Sequence, residues 1–166
     1  LMSEEIKQRT IDKIFGKYQE LKQAKDCDKK IIVYAPTFRK HKDISAEIDD
    51  LINKISSEDR VIVIKKHPLM KLCIEDRPGV IVDDTFSTEE MLYIADCVIA
   101  DYSAIVFEAA LLNKPMCFYA FDLDEYMASR SFYLDYEKDM PGAICKDVDE
   151  VETVLKDFCF DLEAVK

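Results

Sequence analysis

Side chains that suit a phosphate ester recur in this chain at one kind of place, directly after a short apolar run. Pro36-Thr37-Phe38-Arg39, with Lys40, His41 and Lys42 behind it, follows IIVYA, and Lys65-Lys66-His67-Pro68 follows VIVI. Asp83-Asp84, then Ser87-Thr88, come after VIV; Asp101-Tyr102-Ser103 ends CVIA; Phe121-Asp122 ends MCFYA. Arginine and histidine can neutralise a diphosphate, and hydroxyls and free N–H groups at a helix start can donate to its oxygens.

The apolar runs are the length of buried strands and rich in β-branched residues, and the first is stopped by Pro36. Helical patterns lie between them. Residues 45–56 carry Ile48, Leu51, Ile52 and Ile55 on one face. Ser87-Thr88-Glu89-Glu90 reads as a capping box opening a helix through Ala95, and Asp147 to Glu150 opens a closing helix to about Phe160. Before the first strand, residues 4–25 have a helical spacing that falters around Lys7 to Thr10. Continuously apolar strands alternating with helices predict an α/β fold, a Rossmann-like parallel sheet with helices on both faces, in a strand order the sequence leaves open. Ligands of such sheets bind beyond the carboxyl ends of the strands, where the phosphate-suited residues fall.

The only glycines are Gly16, Gly79 and Gly142, so the dinucleotide fingerprint and the P-loop are both absent and any nucleotide is held by another device. A net charge of −11 speaks against nucleic acid as partner and against docking of this segment alone on anionic lipid. No C-x-x-C pair occurs among the six cysteines, and Cys97, Cys117 and Cys145 sit in apolar runs, as reduced cytoplasmic thiols would. No apolar run approaches the ~20 residues of a membrane span.

Individual residues admit two readings. Ser103 stands at the N-cap position of the helix after CVIA, either only capping it or also offering its hydroxyl, with the neighbouring Ala104 N–H, to an anion. His67, aimed by the proline after it, is a phosphate ligand, a base or a structural histidine. Asp101 orients a partner or caps the turn, and Glu108 accepts a ribose hydroxyl or is a surface charge. The Asp83-Asp84 pair suits a turn and helix start better than a metal.

IVYAPTFR, KKHP, the stretch from Asp83 to Asp96, IADYSAIVFEAALLNKPMCFYAFDLDEY and RSFYLDYEKDMPG together resemble the CDP-glycerol glycerophosphotransferases, the teichoic acid primases and polymerases, from Lys30 to about Leu155. The resemblance implies the C-terminal half of a GT-B glycosyltransferase-type fold. Residues 1–28 would then be a helix and connector from a preceding domain, and 29–166 the donor-nucleotide-binding domain. It implies a transferase that passes glycerol or ribitol phosphate from a CDP-activated donor to a membrane-attached polymer, with release of CMP. It also implies no metal or other cofactor, and a full-length protein on the cytoplasmic face of the membrane. Carried onto this chain, His67 is the catalytic histidine. Thr37, Arg39, Ser87, Thr88, Ser103, Ala104 and Glu108 face the donor, and Asp101 and Arg130 orient it. Where the family usually has a second serine this chain has Ala104, and Ser131 replaces a frequent glycine. The family's other histidine belongs to the N-terminal domain, so this segment alone is expected to bind donor without turnover. The competing expectations are a GT-B transferase of another nucleotide sugar and a non-catalytic nucleotide-binding module.

Overall fold

The computed structural model describes residues 3–129 and 135–157. The apolar runs form six parallel strands: β1 (Lys30–Tyr34), β2 (Arg60–Lys65), β3 (Val80–Asp83), β4 (Cys97–Ala100), β5 (Met116–Tyr119) and β6 (Ala143–Cys145). Their order is β3-β2-β1-β4-β5-β6, which the sequence left open. The direction of winding reverses between β1 and β4, and a crevice opens at such a reversal beyond the strand ends.

Strand periodicity divides the side chains between two faces. Val33, Val61, Val63, Val98 and Phe118 face one core, and Ile32, Ile62, Ile64, Ile99 and Tyr119 the other. The first core is covered by α1 (Glu4–Lys17), α2 (Gln19–Asp26), α4 (Thr88–Leu92) and α5 (Ile105–Leu111). The second is covered by α3 (Ser45–Ile55) and α8 (Val148–Asp157). The predicted stripe of α3, Ile48, Leu51, Ile52 and Ile55, is fully buried there. Each such side chain stabilises the domain by roughly 1.5–3 kcal/mol relative to exposure. Two short helices, α6 (Leu123–Ser129) and α7 (Tyr136–Asp139), follow β5; α7 is not evident in the sequence pattern. Among the described residues no helix is long and apolar enough to cross a membrane.

The N-terminal segment differs from expectation in where it breaks. The helix runs through Lys7 to Thr10, because the Thr10 hydroxyl donates to the Ile6 carbonyl at 3.0 Å and needs no other partner. It breaks instead at Tyr18, whose hydroxyl donates to Asp83 Oδ1 at 2.6 Å, drawing the ring to the end of β3. Ile14, Leu21 and Ala24 are buried in the first core, so α1 and α2 pack on the sheet itself. Gly142 marks a close approach: a Cβ there would lie 2.4 Å from the Met116 carbonyl oxygen.

Candidate functional site

Why β4 ends on an acid is answered by Asp101. Its carboxylate accepts the Thr37 N–H at 2.9 and 3.0 Å, the Thr37 hydroxyl, and the Tyr102 N–H at 2.6 Å. It also pairs with Arg39 Nη1 at 2.7 Å, while the Tyr136 hydroxyl donates to the Asp101 carbonyl. Backbone amides, an arginine and a buried acid thus tie the end of β1 to the end of β4, a closure that glycine could not supply. The other side of the guanidinium forks onto Asp122 beyond β5, Nε to Oδ2 at 3.1 Å and Nη2 to Oδ1 at 3.0 Å. Burial alone would raise the Asp122 pKa, but the bonds from Arg39 and Tyr102 prevail and hold it below the ordinary carboxylate range. Burial opposes the charge on Arg39 too, and the two carboxylates outweigh that and raise its pKa.

Arg39 is therefore 8% exposed, with every guanidinium nitrogen engaged by protein. Its cation is turned into the protein, under Tyr102, Phe121 and Tyr126, instead of toward a ligand. Thr37 donates both its N–H and its hydroxyl proton to Asp101, leaving no donor for a phosphate oxygen.

Beside this closure the ends of β1, β2, β3 and β4 surround a cavity of about 520 Å³. Thr37, His67, Ser87, Thr88 and Ser103 all line it, five sequence candidates brought together from four loops. Lys65 and Lys66 line it as well. Lys65 is held by Asp83 Oδ2 and the Phe86 carbonyl, and these contacts set the loop that carries Ser87. Burial raises the Asp83 pKa less than the bonds from Lys65 and Tyr18 lower it, so this acid stays ionised.

Three of the lining groups share one arrangement. The Ser87 hydroxyl oxygen accepts the Glu90 N–H at 3.1 Å, in a complete capping box with Glu90. Ser103 Oγ accepts the Ile105 N–H at 3.3 Å. His67 Nδ1 accepts the Leu69 N–H at 3.1 Å, which puts the proton of the neutral ring on Nε2. In each case a backbone amide occupies an acceptor and leaves a proton to donate. The set is suited to an oxygen-rich anion. Nε2 of His67, already protonated, is a donor and not a base in this tautomer.

The helix after Ser103 starts later than expected. α5 begins at Ile105, with Ala104 in the cap position, because Asp101 turns the chain through Tyr102 before it can enter the helix. The Ser103 hydroxyl still caps, through Ile105. Ala104 does not line the cavity, nor does Glu108, one turn into α5. One carboxylate oxygen of Glu108 is buried without a hydrogen-bond partner. Arg130 lies outside the described residues. Sequence reasoning placed Asp122 at the ligand edge without seeing it as the partner of Arg39, although a lone arginine among strand-end acids is a signal for such a pairing.

Residues 9–161 match the family described as CDP-Glycerol:Poly(glycerophosphate) glycerophosphotransferase. The chain belongs to that family. Among its glycerophosphotransferase relatives, the teichoic acid ribitol-phosphate primase of Bacillus spizizenii is 37% identical over 147 residues, 83% of this chain and 36% of the primase. The structure of the wall teichoic acid polymerase TagF superimposes with a TM-score of 0.69 at 27% identity, covering 90% of this chain and 41% of that one. The glycosyltransferase SnogD from Streptomyces nogalater, at 16% identity, shares the fold with a TM-score of 0.60. The α/β glycosyltransferase-type fold expected from the sequence is therefore present, and this chain spans little more than a third of the primase's length.

Proposed function

We propose that this chain is the donor-binding part of a transferase that moves a polyol phosphate from a CDP-activated donor to a hydroxyl of a growing teichoic-acid-type polymer. The observation that carries this is the convergence of the Ser87, Ser103 and His67 donors on one cavity at the sheet's switch point. The relatives point the same way: one TagF structure comes from a CDPG soak of the H444N variant, and it matches this chain with a TM-score of 0.67.

In this reading the acceptor oxygen forms a bond to the distal phosphorus of the donor as the bond to the bridging oxygen breaks, and CMP leaves with that oxygen. The protons of Ser87, Ser103 and His67 meet the charge that collects on the diphosphate, and Lys66 adds a cation at the rim. Arg39 and Asp101 act one step back, by fixing the strand ends that aim these groups. The acceptor's proton goes to a base outside this chain, which the family resemblance puts on a histidine of a preceding domain, with residues 1–28 leading from it. The reading calls on no metal or other cofactor, and places the whole protein on the cytoplasmic face of the membrane, where its acceptor is anchored.

The test is a titration of the chain with CDP, CDP-glycerol, UDP and GDP, read by calorimetry or amide shifts. Cytidine nucleotides are expected to bind selectively. His67→Ala and Ser103→Ala should each weaken them, by roughly tenfold to a hundredfold if a hydrogen bond to a charged group worth about 1.5–3 kcal/mol is lost. Binding of UDP in preference to CDP would replace this reading with a sugar-nucleotide transferase, and nucleotide binding indifferent to both substitutions would remove the site.

A further inference from the structure

Phe38 lines a second cavity, of about 290 Å³, as well as the first. Its ring stacks on His67 with centroids 5.3 Å apart, so the pair forms the partition between the two spaces. The second cavity is cationic in a chain whose net charge is −11. Lys42 there is engaged by Glu125 at 3.4 Å, and the one carboxylate of the lining, Asp43, accepts the Ser45 N–H. Lys40 and Lys71 are exposed and, among the described residues, have no carboxylate within ion-pair distance. Met70 and Leu69, the latter 68% exposed, belong to the same lining.

Two unpaired ammonium groups around an apolar floor suit a particular kind of ligand. Lysine is a mobile point charge, fitted to a repeating polyanion more than to one rigidly forked oxyanion. The methylene and methine carbons between phosphodiesters match Leu69 and Met70. In the proposed reaction the polymer acceptor carries phosphodiesters of its own, and they must lie close to the donor because the acceptor's terminal hydroxyl has to reach the donor's distal phosphorus. We infer that the cavity lined by Lys40, Leu69 and Lys71 binds a phosphodiester of the acceptor polymer, an inference that rests on the donor reading of the neighbouring cavity. The last diester of the chain sits against the lysines, and its terminal polyol passes the edge of the Phe38–His67 partition toward the donor. The second cavity thereby sets the direction from which the acceptor arrives.

The experiment uses the isotope-labelled chain with a synthetic tri(glycerol phosphate), with CDP, with both together, and with vesicles of phosphatidylglycerol. The oligomer is expected to move the amides of Lys40, Leu69 and Lys71, and CDP those of His67, Ser87 and Ser103, with both sets moving when the two ligands are present. A Lys40→Ala/Lys71→Ala double substitution should weaken the oligomer by roughly three- to tenfold, as loss of two exposed ion pairs would, and leave CDP affinity unchanged. Competition between oligomer and CDP would overturn the inference by making the two spaces one site. So would an oligomer that moves none of these amides at millimolar concentration, or one indifferent to the double substitution. Shifts produced by vesicles and not by the oligomer would reassign the patch to lipid. Failure of CDP to bind while the oligomer binds at the lysines would count against the donor reading alone.

Discussion

Replacing Arg39 by alanine separates a structural from a ligand-binding role. The side chain supplies the bidentate fork to Asp122, at 3.1 and 3.0 Å, and the 2.7 Å pair to Asp101. The carboxylates it leaves behind are 6% and 0% exposed. Asp101 would keep the Thr37 and Tyr102 amides, and Asp122 the Tyr102 hydroxyl and the weaker charge of Lys42, but both would lose the cation bonded to them. Removing one partner of a buried pair costs about 3–5 kcal/mol, a large part of the ~5–15 kcal/mol stability of an ordinary domain, and corresponds to roughly 6–20 °C in Tm at this size. The pH dependence carries a second signature. In the wild type Asp122, held below its unfolded value, contributes stability above about pH 4 and loses it as pH falls through the folded value. Without the guanidinium the strongest of the interactions that hold the folded value down is lost, burial pulls it upward, and the carboxyl becomes easier to keep when protonated. The deficit of the variant is therefore greatest near neutral pH and narrows on acidification toward about pH 4. Urea unfolding of both proteins across that range measures it. A loss below about 1 kcal/mol near neutrality, or a gap that stays constant with pH, would refute the buried-pair argument. Weakened CDP binding at unchanged stability would return Arg39 to the donor site. Arg39→Lys should fall between the two, since an ammonium cannot fork onto Asp122 while reaching Asp101.

Ser87→Ala removes one half of the capping box on a five-residue helix, and a loss of about 1 kcal/mol in urea unfolding is expected together with weaker CDP binding. Ser87→Asp should keep the cap but repel the diphosphate, so recovered stability with binding still lost would distinguish the two duties of this residue. Gly142→Ala forces the β5–β6 contact apart, because the nearest atom to the new methyl is backbone; a cost of about 1–3 kcal/mol is expected, and an unchanged unfolding midpoint would show that the strand shifts freely.

The fold was legible because each apolar run is bounded by a residue with a local meaning: Pro36 after β1, the capping serine Ser87, the stripe from Ile48 to Ile55. The order of the strands was not, since it depends on pairings such as Ile32 with Cys97 across more than sixty residues, to which no local pattern points. The break at Tyr18 was missed for the same reason: its cause is Asp83, far along the chain. At the site, residue type and strand-end position were enough to gather Thr37, His67, Ser87, Thr88 and Ser103 around one cavity. They could not say which donors were already engaged. Arg39 reads as a phosphate ligand until Asp101 and Asp122 are seen to enclose it, and Thr37 until its proton is seen to go to Asp101.

Three thiols, Cys97, Cys117 and Cys145, lie fully or almost fully buried on the adjacent strands β4, β5 and β6, whereas Cys27 and Cys73 are exposed. A hydrogen bond with Cys117 and burial push the Cys145 thiol far up, so it has almost no thiolate with which to react while the sheet is closed. Among the cysteines of the described residues, alkylation should therefore run in two clearly separated phases. Cys27 and Cys73 are open to the reagent in the folded protein, and the strand thiols only when that half of the sheet opens. Because the buried three step outward from the centre toward the β6 edge, the order in which they are labelled reads out whether the sheet frays strand by strand or is lost all at once.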